Sequence, residues 1–294
     1  MAVNADAAGI GEVWMGEMAT FDAFALAGAA ARETRRTRLV IGPLAIGLRG
    51  PVALALGAAS VGHLGGRPAD IALGASTPVV VEGWHGRDWK RSAERMRETV
   101  GALRPLLEGS RSEFSGNLVR TRGFRLRSPL AGTRIAVAAF GPRMLEVAGE
   151  VADRLVLNLV TPALAGRLAR QAGLPTTAWV PAALDPGPAA LEQLRREMVV
   201  YAGQPGYGEM FGEAGFPEVV AFARSGAGPR EVLAMIPDAM IAAVGAIGDA
   251  ATIRARVAEF HAAGVETVAL VPVTAGDAGG KRLLGEVGKW REMQ

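Results

Sequence analysis

The sequence predicts an α/β fold, and three observations favour a (β/α)8 barrel. Short aliphatic runs alternate with helical patterns along the chain, and most runs lack the polar alternation of half-exposed strands, so parallel strands buried on both faces are expected. No G-x-G-x-x-G motif follows a run, although an open doubly wound sheet usually carries one after its first strand. The length fits one barrel domain over residues 1–294.

Seven strands are predicted, each flanked by a helix-like segment. In chain order they are Glu12–Met15, Arg38–Ile46, Asp70–Ala75, Ile135–Phe140, Leu155–Leu159, Thr177–Val180 and Thr267–Val271. Residues 186–247 are mostly helical and are broken by Gly203–Gly206 and Gly226–Pro229. We therefore expect a helical insertion before the last strand, where barrels place loops that cover a substrate.

The clearest helix signal is an apolar stripe with spacings of four and three residues. Its members are Trp89, Ala93, Met96, Val100, Leu103 and Leu107. Asp88 precedes the stripe and is expected to cap the helix. A second helix is expected to begin at Gly141–Pro142, because proline presets the backbone of the first helical position. Residues 50–66 are the longest uncharged run, which is too short for a membrane span of about 20 residues and predicts a buried helix.

The beginning of the chain departs from a complete barrel. Only eleven residues precede Glu12, and residues 2–8 are rich in alanine and helical in character. A complete barrel would place a strand before that helix. Two interpretations stay open: the barrel lacks its first strand, or the translation start is misplaced.

Composition excludes several classes of function. The chain has no cysteine, so it can form neither a disulfide framework nor a thiolate site. Its three histidines lack a short ligand spacing, so no metal site is expected. The net charge is only +3, and its dispersed arginines do not predict nucleic-acid binding. Six arginines in residues 111–134 predict a solvated surface or a binding site for an acidic ligand tail. Without a signal peptide or a membrane span, a soluble cytoplasmic protein is expected.

Candidate catalytic residues follow the predicted strands. Glu17 lies just after the first strand, where a carboxylate serves either as a general base or as a helix-capping acid. Glu82 and His85 lie a few residues after the third strand, in a loop that a barrel places on its catalytic face. For His85, an active-site role and a loop-shaping role remain equally open.

Candidate ligand-binding residues lie at other strand ends. Proline cannot donate to a sheet ladder, so Gly42-Pro43 predicts a bulge or a cis bond inside the second strand. The small residues Gly74, Ala75 and Ser76 leave room for a flat ring against the backbone. Gly141 opens a helix whose free N–H groups can hold a phosphate. Together these features predict a pocket for a planar, phosphorylated cofactor.

Three sequence blocks resemble a known family. Residues 34–51 followed by "GGRPADIALGAS" are similar to the third and fourth strand units of the bacterial-luciferase-like flavin barrels. The blocks "VVVEGWHGRDWKRSAERMRETV" and "RIAVAAFGPRMLEVAGEVADRLVLNL" resemble the branch that uses the deazaflavin coenzyme F420. The likeness covers about residues 9–292, nearly the whole chain.

The resemblance implies a luciferase-like (β/α)8 barrel that transfers a hydride between the deazaflavin and an organic substrate. The family's cis-peptide bulge corresponds to Gly42-Pro43, and its phosphate contacts correspond to Phe140, Gly141 and Pro142. The acid that closes the family's second strand corresponds to Glu17. A homodimer is also implied.

Two departures concern proton transfer. In sugar-phosphate dehydrogenases of this family a histidine follows the acid, whereas this chain has Met18. Their carboxylate after the fourth strand is replaced by Thr77. These differences argue against a sugar-phosphate substrate and leave Glu17, Glu82 and His85 as candidates for proton transfer.

The substrate itself is not predicted, although Trp14 and Asn158 at strand ends are candidates for contacting it. One alternative function is an FMN-dependent luciferase-like monooxygenase. Another is a non-catalytic or degenerate barrel that binds flavin or deazaflavin, a hypothesis motivated by the absent strand and the replaced acid and base.

Overall fold

The structure is a computed structural model that describes residues 1–17 and 19–291. The chain divides into two compact units. The first, the N-terminal unit, comprises residues 2–156 and 172–174. The second, the C-terminal unit, comprises residues 157–171, Met1 and the chain from residue 175 onward.

The N-terminal unit is built on parallel strands that alternate with helices. Its strands are β1 (Glu12–Met15), β2 (Arg38–Ala45), β3 (Asp70–Gly74), β4 (Arg111–Ser115), β5 (Arg120–Arg125), β6 (Ile135–Ala138) and β7 (Arg154–Asn158), whose last two residues belong to the C-terminal unit. Its helices are α1 (Ala2–Ala7), α2 (Ala23–Glu33), α3 (Pro51–Gly65), α4 (Ser92–Leu107) and α5 (Pro142–Val151). The parallel order is β1-β2-β3-β6-β7, and β4 pairs with β5 in a separate antiparallel hairpin.

The C-terminal unit continues with the same kind of β/α unit. Its strands are β8 (Thr176–Leu184), β9 (Ala246–Gly248) and β10 (Thr267–Pro272). Its helices are α6 (Pro162–Ala172), α7 (Pro188–Ala202), α8 (Tyr207–Glu213), α9 (Pro217–Arg224), α10 (Pro229–Met235), α11 (Asp238–Val244), α12 (Ala250–Ala262) and α13 (Lys281–Arg291). Both β9 and β10 pair in parallel with β8.

All seven predicted strands are present, so the predicted α/β class with parallel strands is confirmed. The helical insertion is also present, as α7 to α11 between β8 and β9. The structure adds β9, a three-residue strand at residues 246–248. A strand of three residues is too short to contain the kind of apolar run from which the other strands were predicted. In the part of the chain that the structure describes, β1 stands at one end of the strand order and pairs with β2.

The prediction for the start of α4 was wrong. The helix begins at Ser92, and Asp88 accepts a hydrogen bond from the backbone N of Lys90 at 2.9 Å, so Asp88 caps a turn rather than the helix. Trp89 lies outside the helix, whereas most of the remaining apolar stripe is buried within it. Periodicity located the buried face, but a polar turn residue ahead of it was not sufficient to locate the first helical turn.

Two further segments differ from the sequence prediction. Residues 79–84 form a single stretch of π-helix where a loop was expected. The arginine-rich segment forms the β4–β5 hairpin, in which the alternation of exposed charges and buried residues was not recognised as strand. Arg120, Arg122 and Arg125 are exposed on this hairpin.

Ion pairs connect the amino ends of the parallel strands in the N-terminal unit. Asp70 on β3 accepts hydrogen bonds from Arg38 on β2 and from Arg134, which precedes β6. Glu12 on β1 pairs with Arg134 at 2.9 Å and with Arg154 on β7 at 2.7 Å. Because this edge is occupied by paired charges, the opposite edge, at the carboxyl ends of the strands, is the one available for a ligand, as in other β/α barrels.

Among the helices that the structure describes, none combines the length and the apolar character needed to cross a membrane. The run at residues 50–66 forms the predicted helix, α3, between Gly50 and Gly66; one face of the helix is buried, whereas Leu56 and Leu64 are exposed, so the prediction of a buried helix holds for that face only.

Candidate active site

The second strand carries a backbone distortion at its carboxyl half. The Gly42-Pro43 peptide bond is cis, and the pairing of β2 with β3 shifts register between Ile41 and Leu44. Gly42 has a φ of 119°, and a Cβ at this position would lie 2.2 Å from the carbonyl O of Ala72. Both predicted features, the bulge and the cis bond, are therefore confirmed. Only glycine fits at position 42.

The bulge lies beside the small carboxyl end of β3. The backbone N of Ile46 donates to the carbonyl O of Gly74 at 2.9 Å. A Cβ placed at Gly74 would lie 3.5 Å from the Cβ of Pro43 and 3.6 Å from that of Ala138. Backbone is thus left bare across three adjacent strands, which is the shape that a flat ring requires.

Trp89 holds the chain that follows β3. Its indole N–H donates to the carbonyl O atoms of Ala75 and Ser76 at 3.0 and 3.3 Å. Ser76 has a φ of 58°, a left-handed conformation that is uncommon for a residue with a side chain. The tryptophan therefore fixes a sharp turn at the rim of the bare strand ends.

The helix α5 begins at an uncapped terminus. Gly141 is the N-cap, Pro142 is the first helical residue, and no side chain caps the first turn. Gly141 is exposed, and nothing lies within 4 Å of the position of a Cβ there. Free N–H groups at a helix N-terminus bind phosphate, so the start of α5 at Phe140, Gly141 and Pro142 is suitable for the phosphate contacts that the resemblance implies, although Pro142 itself has no N–H to donate.

Glu17 is held in a two-point ion pair. Arg49 donates to its Oε2 at 2.6 Å and to its Oε1 at 2.7 Å, and the backbone N of Ala23 donates to Oε1 at 3.3 Å. Arg49 also pairs with Asp22, the N-cap of α2. The hydrogen bonds that Arg49 donates to Glu17 raise the pKa of Arg49 above its usual value. The backbone N–H of Ala25, supported by Arg49, lowers the pKa of Asp22. Through these contacts Glu17 holds Arg49 and the start of α2 in place.

Glu82 and His85 are exposed. Glu82 lies in the π-helix, where its Oε1 accepts a 3.4 Å hydrogen bond from the backbone N of Trp89. The backbone N–H of His85 caps the end of the same helix. Within the described residues 1–17 and 19–291, the side chains of Glu82 and His85 form no hydrogen bond or ion pair with Gly42 or Gly74, the residues of the bare strand ends.

The two candidate substrate residues lie in different units. Trp14 is half-buried in β1 of the N-terminal unit, opposite Val40 of β2. Asn158 is the last residue of β7 in the C-terminal unit, and its Nδ2 donates to the Tyr207 hydroxyl at 3.3 Å. Met18, which replaces the histidine of related dehydrogenases, lies outside the described residues.

A polar cluster in the C-terminal unit is not among the residues predicted from the sequence. It contains Glu197, whose pKa is raised by burial, and Tyr201, whose pKa is raised by burial and by the nearby Glu197. Burial also raises the pKa of Tyr207, whose ring centroid lies 4.6 Å from that of Tyr201. The signal available in the sequence was the four-residue spacing of polar residues on a helix in the insertion.

No group of three acidic or histidine side chains that could hold a metal occurs among the described residues.

Known proteins resemble this chain over most of its length. A family model described as luciferase-like monooxygenase matches residues 1–267. A candidate coenzyme F420-dependent oxidoreductase of Mycobacterium tuberculosis is 26% identical over 321 positions, which cover 95% of this chain and 90% of that protein.

Solved structures show the same fold. The coenzyme F420-dependent tetrahydromethanopterin reductase of Methanopyrus kandleri matches with a TM-score of 0.82 and 20% identity, over 97% of this chain and 91% of that chain. The oxygenating constituent of 3,6-diketocamphane monooxygenase of Pseudomonas putida, in complex with FMN, matches with a TM-score of 0.71 and 16% identity, over 98% of this chain and 89% of that chain. The predicted (β/α)8-barrel type is confirmed by these likenesses.

Parallel β/α units with bare strand ends at the carboxyl edge are typical of β/α-barrel enzymes, and the similar proteins, which are F420-dependent oxidoreductases and a flavin monooxygenase, indicate an oxidoreductase. The chain belongs to the luciferase-like monooxygenase family, as the match to residues 1–267 shows.

Proposed function

We propose that the protein is an F420-dependent oxidoreductase, which transfers a hydride between the deazaflavin and an organic substrate. The observation that carries this proposal is the bare backbone formed by the cis Gly42-Pro43 bulge and Gly74, beside Ala138. Any Cβ at Gly42 would collide with the Ala72 carbonyl O at 2.2 Å. The names of the Mycobacterium tuberculosis relative and of the Methanopyrus kandleri reductase support F420 as the cofactor.

The residues present fit the cofactor. Gly42, Pro43 and Gly74 would hold the ring face, and Ala75 and Ser76 would border it. The uncapped start of α5 at Phe140, Gly141 and Pro142 would take the phosphate. The bound cofactor would supply or accept a hydride at its ring carbon. The Glu17–Arg49 ion pair would keep the start of α2 in place.

FMN is the alternative cofactor, because the diketocamphane monooxygenase constituent binds FMN on the same fold. A bare backbone would hold the ring of either F420 or FMN, and a helix N-terminus would hold the phosphate of either cofactor. With FMN, the protein would act as a monooxygenase that receives reduced flavin from a partner reductase.

Cofactor titration tests the proposal. Purified protein is titrated with F420 and, separately, with FMN, and binding is followed by the fluorescence of each cofactor. We expect F420 to bind at least tenfold more tightly than FMN. Tighter binding of FMN would contradict the proposal and favour the monooxygenase.

A homodimer is proposed as the oligomeric state. Leucines are exposed on both α2 and α3, at Leu26, Leu56 and Leu64. Exposed apolar side chains on neighbouring helices are typical of protein interfaces. Light scattering coupled to size exclusion should give twice the chain mass, and the mass of one chain would contradict the proposal.

A further inference from the structure

The first turn of α4 contains an arginine at the carboxyl edge of the parallel strands. Arg95 lies three residues after Ser92, where the helix begins. The chain reaches this helix from the carboxyl end of β3, through the turn that Trp89 fixes by its hydrogen bonds to Ala75 and Ser76. Arg95 therefore lies in the N-terminal unit, at the edge where β/α barrels bind their ligands.

The side chain of Arg95 lies along the loop that follows β2. A Cβ placed on Gly47 would lie 3.1 Å from the Cδ of Arg95 and 3.5 Å from its Nε. Gly47 has a φ of 85°, which favours glycine, and its missing side chain leaves the space in which the arginine lies. The preceding residue, Ile46, donates its backbone N–H to the carbonyl O of Gly74 at 2.9 Å. The arginine is therefore next to the bare ends of β2 and β3.

The guanidinium group of Arg95 has no acceptor within residues 1–17 and 19–291. The side chain is half-buried, its Nε is buried without a hydrogen-bond partner, and it forms no ion pair in this part of the chain. Buried polar groups in native proteins normally have partners, and a charge that is partly removed from water without one is destabilising. An acceptor supplied by a bound molecule would satisfy this group.

The acidic side chains on the same helix have other partners. Arg91 donates its Nε–H to Glu94 at 2.6 Å. Glu98 accepts hydrogen bonds from the backbone N atoms of residues 117–119, at 2.7 to 2.8 Å. Neither carboxylate forms an ion pair with Arg95.

Arg49, two residues beyond Gly47 in the same loop, has the opposite environment. It pairs with both Glu17 and Asp22. Both carboxylates are thus engaged by Arg49, and neither pairs with Arg95. Of the two arginines at this loop, Arg95 is the one whose charge is available to a ligand.

The position of Arg95 also differs from the phosphate position proposed at the start of α5. The three strands with bare ends are neighbours in the order β2-β3-β6. Gly47 follows β2 on one side of this group, whereas Gly141 follows β6 on the other side. A cofactor whose phosphate lies at Gly141 therefore leaves the guanidinium beside Gly47 for a different anionic group.

We propose that Arg95 binds a carboxylate or phosphate group of the organic substrate. The proposal rests on the proposed F420-dependent function and adds the class of its substrate, an anionic organic molecule. A guanidinium presents its N–H donors as a planar fork that matches the oxygens of either anion. Because the stem of Arg95 already lies against Gly47, little side-chain freedom would be lost when the anion binds.

The first experiment tests anion binding without a cofactor. The Nε–H signals of arginine are followed by nuclear magnetic resonance while acetate or inorganic phosphate is added at constant ionic strength. Arg95→Lys identifies the signal of Arg95, and Arg97→Lys identifies that of the control. Arg97 lies on the same helix and already pairs with Glu150 at 2.6 Å. We expect the Arg95 signal to shift and saturate. A shift that is absent, or that does not saturate and equals the shift of Arg97, would overturn the proposal.

The second experiment measures substrate-like ligands on the protein with bound F420. Benzoate and phenyl phosphate are the anionic probes, benzamide is the uncharged one, and calorimetry gives each affinity. We expect an anionic probe to bind more tightly than benzamide and to lose about tenfold in affinity in Arg95→Met, which keeps the stem but removes the charge. Arg95→Lys should recover part of the affinity, and Arg97→Met should match the wild type. Binding of neither anionic probe, or equal losses for charged and uncharged probes, would refute the substrate class.

The affinity of Arg95→Met for F420 identifies the source of the anion. An affinity equal to that of the wild type supports the substrate as the source, whereas a loss of about tenfold would assign Arg95 to the cofactor and overturn the proposal. If Arg95→Met is less stable but keeps its affinity for the anionic probes, Arg95 only packs against Gly47, and the proposal is refuted. Failure of F420 to bind the wild-type protein refutes the proposed function, while the acetate and phosphate titrations still decide whether Arg95 binds an anion.

Discussion

Arg49 donates one hydrogen bond to each carboxylate oxygen of Glu17, at 2.6 and 2.7 Å. This geometry connects the segment after β1 with the loop between β2 and α3, and Asp22 extends it to the start of α2. A two-point pair between a guanidinium and a carboxylate is short and geometrically specific. Glu17 is therefore assigned to holding these three segments together.

The Glu17–Arg49 pair should show measurable coupling. We expect Glu17→Gln and Arg49→Met each to lower the free energy of unfolding by about 1–2 kcal/mol, since both side chains are largely buried. The double variant should lose less than the sum of the two single losses. Urea denaturation of the four proteins measures the coupling, and strictly additive losses would show that the pair contributes nothing.

Gly42→Ala should disturb the cofactor site through the backbone. A Cβ would lie 2.2 Å from the Ala72 carbonyl O and 2.6 Å from the Leu44 N, at a φ of 119°. We expect a loss of about 3 kcal/mol in the free energy of unfolding and at least tenfold weaker F420 binding. Gly187→Ala is the matched control, because nothing lies within 4 Å of a Cβ there. Wild-type affinity in Gly42→Ala would argue that the ring does not lie against the bulge.

Trp89→Phe should loosen the rim of the same site. The substitution keeps an aromatic ring but removes the N–H that binds the carbonyl O atoms of Ala75 and Ser76. The loss of one hydrogen bond predicts about fivefold weaker F420 binding, measured by fluorescence titration. Trp84→Phe serves as control because Trp84 is exposed. Equal affinities in both variants would place the cofactor away from the turn at Ser76.

Asp6 should make stability depend on acidic pH. Its carboxylate accepts hydrogen bonds from the backbone N atoms of Arg35, Arg36 and Thr37, which hold its pKa far below the usual value. Since the folded pKa is lowered, this stabilisation is complete above the unfolded pKa of about 4 and is lost as pH falls below it. Asp6→Asn should therefore be less stable than the wild type at pH 7, by about 1 kcal/mol.

The difference between Asp6→Asn and the wild type should shrink as the pH is lowered from 5 to 3. Urea denaturation at each pH measures it. A difference that stays constant over this range would show that the charge of Asp6 does not act through these backbone contacts.

The sequence predicted the strands that are long and apolar, because burial on both faces leaves few ways to arrange such runs. Gly42-Pro43 was equally informative, since proline inside a strand has few structural solutions. β9 was not predicted because three residues carry too little pattern. The start of α4 was misplaced because aspartate is favoured both at helix N-caps and in turns, and Asp88 caps a turn.

The residues of the candidate site likewise fall into those that the sequence predicted and those that it did not. The cofactor residues belong to backbone features that local sequence specifies, namely glycine, proline and a helix start. The polar cluster around Glu197, Tyr201 and Tyr207 depends on long-range contacts, because Ala275 is 82 positions from Gln193 and Tyr207 is 49 positions from Asn158. A single sequence contains no record of such pairings, so this cluster could be recognised only in the folded chain.

Asp70 should contribute to stability without affecting the ligand site. It is 3% exposed and binds Arg38 and Arg134 at the amino ends of the strands. Asp70→Asn leaves Arg38 with a neutral partner and Arg134 with Glu12 as its one anionic partner among the described residues, so we expect a loss of about 3 kcal/mol in the free energy of unfolding. Glu113→Gln, at an exposed pair, should cost less than about 0.5 kcal/mol. F420 affinity of the folded Asp70→Asn protein should match that of the wild type, because the substituted residue lies at the opposite end of β3 from Gly74. A selective loss of affinity without a loss of stability would show that the two ends of the strands are not independent.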